Sequence, residues 1–159
     1  MFKDYDQKVS QNDLYALIRE GEHGEQDFKY RISDARKIAR TLSAFANTNG
    51  GRLLVGVRDN GSIAGVKDED DIYMLESASE VFLKPALKLE VWAHEIEGKK
   101  VWEIEITEGK EKPYQVDEVE GLKAYYRDND QNFVANAVLK EVWKQDRLRE
   151  SKHPVAFTE

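Results

Sequence analysis

The sequence predicts a single α/β (α+β) domain, with one central mixed β-sheet flanked by about four helices. Three observations carry that expectation. Residues 27–32 alternate polar and apolar, residues 34–46 repeat at helical spacing, and residues 53–57 form a continuous apolar run; strand, helix and strand within about thirty residues make a packed α/β unit. Two further alternating stretches flank Glu97-Gly98 and read as a hairpin. At 159 residues, 40% of them hydrophobic and 10% aromatic, the chain has the length and apolar content of one ordinary core.

Taken in order, Ser10 with Asp13 resembles a capping box, and Leu14, Leu17 and Ile18 follow at helical spacing, so a helix should run over about 11–20. Gly21 and Gly24 loosen the chain before the strand at 27–32, whose alternation points Phe28, Tyr30 and Ile32 inward and sets Asp27, Lys29 and Arg31 on the other face. Ser33 is the expected N-cap of a helix carrying Ile38, Leu42 and Phe45 on its inner side, and Asn47-Thr48-Asn49-Gly50-Gly51 ends it. The run 53–57 suits a strand buried on both faces, and Asp59-Asn60-Gly61-Ser62 turns the chain into a short strand at 63–66.

Asp68, Glu69, Asp70 and Asp71 open the next helix, where their charge favours the positive end of the helix dipole; the spacing of an EF-hand is absent. After the hairpin strands at 89–96 and 100–106, residues 122–127 read as another strand. Asp130 is the expected cap of a last helix over about 131–146, with Phe133, Ala137, Val138 and Val142 inward. The expected core comprises Phe28, Ile38, Leu42, Phe45, Leu54, Val55, Val57, Val91, Val101, Ile104 and Tyr125. The organisation expected is an N-terminal helical segment (1–19), the main domain (20–130), and a C-terminal helix with a loose tail packed on it (131–159).

Several chemistries lack their residues. With no Cys there is no disulfide, thiol nucleophile or Cys-ligated zinc, and no apolar run approaches the roughly 20 residues of a membrane helix, so a cytoplasmic, membrane-free protein is expected. There is no G-x-x-x-x-G-K-[ST] phosphate loop and no G-x-G-x-x-G, so ATP hydrolysis is unsupported. His23, His94 and His153 are scattered without metalloprotease or triad spacing.

The net charge of −7 hides a local field of opposite sign: residues 28–60 hold seven Lys or Arg against two acids. Lys29, Arg31, Arg36, Lys37, Arg40, Arg52 and Arg58 are therefore candidate phosphate contacts, the alternative being solvated helix and strand faces. A second constellation joins Glu22, Glu25, Asp27 and Lys29 to Asp59 at the far end of the apolar strand. Carboxylates converging there would repel one another, and a divalent ion such as Mg or Mn relieves that repulsion while polarising a phosphate. On spacing alone, the favoured reading is a surface ion pair between Asp27 and Lys29 among solvated acids, of little energetic weight.

The stretches EHGEQDFK (22–29), SAFANTNGG (43–51) and LLVGVRD (53–59), then Gly61 with Ile63-Ala64-Gly65-Val66, and Lys112-Pro113-Tyr114 with Tyr125-Tyr126-Arg127, together resemble the Schlafen-type AlbA-like domain over about residues 20–130. The resemblance implies a nucleic-acid-binding module, because prokaryotic members are described as DNA-binding proteins or transcriptional regulators. It also implies an alternative, since the related eukaryotic domain is a metal-assisted endoribonuclease with three carboxylates. Carried over, those acids fall on Glu22, Asp27 and Asp59, with Lys29 steadying the phosphate. Asp27 stands where that pattern has a Glu, which shortens the reach by one methylene. The eukaryotic core grips RNA with two lobes, so a homodimer would be needed here to build an equivalent groove. A scaffold domain that binds a protein partner is the third reading. Expected partners are thus DNA or RNA, with Mg or Mn as the ion if the domain is a nuclease.

Overall fold

The structure is a computed structural model describing residues 2–3 and 11–152. The chain runs β1 (Phe2–Lys3), α1 (Gln11–Glu20), β2 (Gln26–Lys29), α2 (Ala35–Asn47), β3 (Gly51–Val55), and α3 (Asp71–Ser77) continued by a π-helical turn over Ala78–Phe82. It goes on through β4 (Leu83–Lys84), β5 (Glu90–Ile96), β6 (Lys99–Ile106), β7 (Gln115–Glu118), β8 (Gly121–Asp128), β9 (Gln131–Val134) and α4 (Ala137–Lys152). These form one α+β domain with two sheets rather than one: a mixed sheet ordered β1-β5-β6-β3-β2 and an antiparallel sheet ordered β4-β7-β8-β9.

The apolar run of β3 explains the layering. Successive side chains of a strand point to opposite faces. Leu53 and Val55 join the large core beneath α2, while Leu54 and Val57 join a smaller one beneath Leu14 and Ile18 of α1. The mixed sheet is therefore covered on both sides, which is why this strand carries no polar residue after Arg52. α2 is buried all round from Ile38 to Asn47 except at Arg40, because the antiparallel sheet covers the side that the mixed sheet leaves open. All eleven expected core side chains are buried.

Several expectations need correction. The strand at 122–127 belongs to the second sheet, and residues 63–66 contribute only a single bridge, Val57 to Ile63. Asp34, not Ser33, caps α2, accepting from the backbone N–H groups of Arg36 and Lys37. Tyr30 is exposed and Asp27 buried, so the predicted alternation fails at both. Asp130 caps no helix: it lies in a tight turn with Asn129 at φ 53°, closing the β8–β9 hairpin. α4 starts at Ala137, where Asn136 Oδ1 accepts from Leu139 N at 2.8 Å. Phe133, Val138 and Val142 are exposed, and Trp143 is the side chain α4 buries. Ser10 and the tail beyond residue 152 lie outside the described residues.

Candidate functional site

β2 and β3 are parallel neighbours, with Asp27 beside Leu53 and Lys29 beside Val55. Their C-terminal ends therefore open at the same end of the sheet, and the Gly56 N–H to Lys29 carbonyl bond of 2.8 Å extends the pairing. Tyr30 and Arg31 leave one strand there, Arg58 and Asp59 leave the other, and α2 starts four residues after Arg31. In open α/β sheets such an edge is where ligands collect.

Asp27 sits just inside that end, buried between the two sheets. Its Oδ1 accepts from Arg127 Nη2 at 3.2 Å, and Lys29 Nζ stands 3.1 Å from its Oδ2, an ion contact rather than a hydrogen bond. Arg127 comes from β8 and is itself buried. It donates to the carbonyls of His23 (3.1 Å) and Gln26 (3.2 Å) and to Asn132 Oδ1 (2.8 Å), with its guanidinium 4.9 Å over the Phe45 ring. The segment 23–27 is thereby tied to the second sheet through one side chain.

Glu22 Oε2 accepts from the backbone N of Phe28, the residue after Asp27, at 3.1 Å. Burial, then the hydrogen bond shared with Asp27, then the charges of Asp27 and Asp59 push its carboxyl up to about 7, against the opposing pull of the Phe28 N–H. Burial opposes ionisation of Asp27 too. The hydrogen bond from Glu22 and the charges of Lys29 and Arg127 outweigh it and hold that carboxyl below its usual range. The two carboxyls are shifted in opposite directions by one another, so they titrate as a coupled pair, and Glu22 is the one pushed toward holding the shared proton.

The stability consequence has a definite sign. A carboxyl raised in the folded state stabilises fully below its usual 4.5 and loses that contribution as pH rises through about 7. Glu118, held at about 2, acts oppositely, its contribution being present above 4.5 and lost toward pH 2. Melting temperature should therefore fall between pH 5 and pH 7.5. Glu22→Gln, which keeps an acceptor for Phe28 N and a donor for Asp27, should remove that fall while leaving the melt at pH 5 unchanged. A wild-type melting temperature that is flat from pH 5 to 7.5 would refute the shared proton.

The sequence set of Glu22, Asp27 and Asp59 is thus brought together in part. Glu22 and Asp27 lie near enough to shift one another's carboxyls, and exposed Asp59 lies near enough to act on Glu22 through its charge. Among the described residues, however, no three acidic, His or Cys side chains are arranged to hold a metal ion. The reason is local: Arg127 and Lys29 already meet the charge of Asp27, and Glu22 keeps its proton close to neutral pH. The residues do not fit a resident Mg or Mn ion.

The basic stretch divides in two. Arg40 is held bidentately by Glu118 (2.8 Å each), which also accepts from the Tyr125 hydroxyl. Arg36 donates to the Asp117 carbonyl at 3.0 Å and lies 4.7 Å over the Phe82 ring. Arg52 donates to fully buried Glu103 (3.1 Å) and to Gln26 Oε1 (3.2 Å). Buried His94 completes that cluster at 2.9 Å from Glu103, and these bonds keep Glu103 ionised against the cost of its burial. Lys29 serves Asp27. Arg31, Lys37 and Arg58 remain exposed with no acidic partner among the described residues, and the Arg58 guanidinium lies 5.0 Å over the exposed Tyr30 ring.

Sequence reasoning did not assign a role to Arg127 or Asn47, though both lie in stretches that carried the resemblance. Asn47 Nδ2 donates to the carbonyls of Tyr114 and Tyr125 (2.9 Å each), and its Oδ1 accepts from Tyr114 N at 2.7 Å. Ser43 Oγ donates to the Tyr114 carbonyl (2.7 Å) and accepts from Tyr125 N (3.0 Å), while Thr48 Oγ1 accepts from Arg127 N. The motif SAFANTNGG is thus the joint between α2 and the second sheet. Gly51 belongs to it because a Cβ there would lie 2.6 Å from the Phe45 ring.

Comparison with solved structures places this architecture. The DIP2311 protein from Corynebacterium diphtheriae superposes with a TM-score of 0.61 at 18% identity, covering 86% of this chain; the chain spans only 28% of that protein's length. The N-terminal domain of a RecG-related protein from Nitrosomonas europaea, named for an ATP-dependent DNA helicase, gives 0.54 at 25% identity, over 81% of this chain and 96% of that one. No curated protein matches. The Schlafen, AlbA_2 family model matches residues 22–136, from the raised carboxyl of Glu22 through the Asn47 joint and Arg127 to the cap of α4. The match spans most of the sequence and every residue of the Asp27 site, and the chain belongs to the Schlafen, AlbA_2 family.

Proposed function

We propose that this domain binds nucleic acid at the open end of β2 and β3. The observation that carries the reading is the exposed Tyr30 ring stacked on the Arg58 guanidinium at the sheet end where β2 and β3 finish, with two more exposed cations that lack acidic partners, Arg31 next to Tyr30 in the chain and Lys37 in the first turn of α2. Cations of this kind exchange condensed counterions for phosphate contacts, and an exposed ring offers a face to an unpaired base. The name of the Nitrosomonas relative supports the same class of ligand. Arg36, Arg40 and Arg52 play no direct part, being held by acids and carbonyls of the domain.

The test is a salt titration with labelled single-stranded RNA, single-stranded DNA and duplex DNA. With three phosphate contacts, log affinity for single strands should fall against log salt with a slope of about −2. The triple variant Arg31→Ala/Lys37→Ala/Arg58→Ala should flatten that slope nearly to zero. Tyr30→Ala should cost roughly 1–3 kcal/mol on single strands and little on duplex. Equal binding by the wild type and the triple variant would overturn the assignment. A transcription-regulatory role requires the further result that duplex DNA is bound, whereas metal-dependent RNA fragments that disappear in Asp59→Ala would replace binding by cleavage.

A further inference from the structure

We propose that the outer face of α4 is where two copies of this chain pair about a two-fold axis, helix against helix and antiparallel. The inference is independent of the nucleic-acid reading. α4 is anchored through Leu139 and Trp143, which pack on Ala124, Tyr126 and Ala135. That anchoring fixes which side faces out. Val138 is 72% exposed, Val142 48% and Leu148 44%, and the first two line a shallow groove with Glu141, Gln145 and Arg149. Val138, Val142, Gln145 and Arg149 recur at steps of four, three and four, the spacing of a helix–helix seam.

The order of charges selects the occupant. Acidic Glu141 precedes Gln145 by four residues and basic Arg149 follows it by four. A two-fold axis at Gln145 therefore sets Glu141 of one copy against Arg149 of the other, twice. A parallel arrangement would instead oppose Glu141 to Glu141 and Arg149 to Arg149. The contacts these groups make within one copy are local and weak: Gln145 Nε2 to Glu141 Oε1 at 3.0 Å, and Arg149 Nη2 to Asp146 Oδ1 at 3.6 Å. The face is thus self-complementary in one orientation, as an isologous interface must be.

From Val138 to Arg149 the seam is about 17 Å long at 1.5 Å per residue. One helix on one helix lies at the small end of specific interfaces, below about 1,200 Å², so the pair should form in the micromolar range and depend on concentration. Sedimentation velocity of the full chain over a wide concentration range should show monomer passing into dimer. Val142→Glu should abolish the dimer without changing the melting temperature, since the side chain is half exposed. Glu141→Arg and Arg149→Glu should each weaken association at least tenfold, and the double reversal should recover it to within a few-fold. A wild type that stays monomeric throughout, a dimer that Val142→Glu leaves intact, or a double reversal as weak as its parents would each overturn the proposal.

Discussion

Replacing Arg127 with Met is expected to remove about 3–5 kcal/mol of folding stability, the range for stranding one partner of a buried ion pair. Domains of this size have about 5–15 kcal/mol in total, so the variant should be close to unfolding at physiological temperature. The argument rests on what the substitution leaves behind. Met fills the stem's volume, but Asp27 loses the Arg127 donor to its Oδ1 and keeps only the oblique contact with Lys29 and the hydrogen bond from Glu22. The carbonyls of His23 and Gln26 lose their shared donor, and Phe45 loses the cation over its ring. Urea unfolding gives the loss directly. If the stranded charge is the cause, Asp27→Asn in the same background should recover part of the loss, so the double variant should be more stable than the sum of the two singles predicts. A loss under about 1 kcal/mol would show that the segment 23–27 is held by other means.

Residues whose partners are near in sequence were legible before the structure, and those whose partners are distant were not. Leu14 and Ile18, Ile38 and Leu42, and the β5–β6 hairpin declare themselves within a dozen residues and form where expected, although Trp102 and Glu103 are buried together with Val101 and Ile104 because both faces of the mixed sheet are covered. Asp27 and Tyr30 sit in an equally clear alternation that the structure breaks. Arg127, one hundred residues away, pulls Asp27 into the interior, and Arg58 supplies Tyr30 with a surface partner. The basic stretch shows the same limit. Arg40 and Arg52 looked available for phosphate because Glu118 and Glu103 lie 78 and 51 residues further on. The splitting of one expected sheet into two has a related origin: β7 is short and polar, and what recruits it is a helix side chain rather than a hydrophobic period. Asn129-Asp130 was ambiguous in principle, since these residue types serve helix caps and tight turns alike; the pairing of Asp128 with Gln131 decided for the turn.

That helix side chain is the subject of the second large effect. Asn47→Leu is expected to cost about 3–5 kcal/mol, comparable with the most damaging core truncations, although it adds apolar volume at a buried position. Asn47 is 2% exposed and closes three backbone bonds: two carbonyls, of Tyr114 and Tyr125, and the N–H of Tyr114. Leu removes all three at once, and each buried group left without a partner costs roughly 1–3 kcal/mol. Ser43 still bonds the Tyr114 carbonyl and Tyr125 N, so the sum falls short of three full penalties. Asn47→Asp separates the contributions: it keeps the acceptor for Tyr114 N but turns the donor toward two carbonyls into a second acceptor. It should therefore lose nearly as much as Leu at neutral pH and recover on acidification, when the protonated carboxyl can donate again. Hydrogen exchange locates the damage. If α2 and the second sheet are joined through this residue, amides of β7 and β8 should lose protection in both variants while those of β3, β5 and β6 keep theirs. Loss of protection spread evenly over both sheets would mean that the two unfold as one unit and that Asn47 is no joint between them.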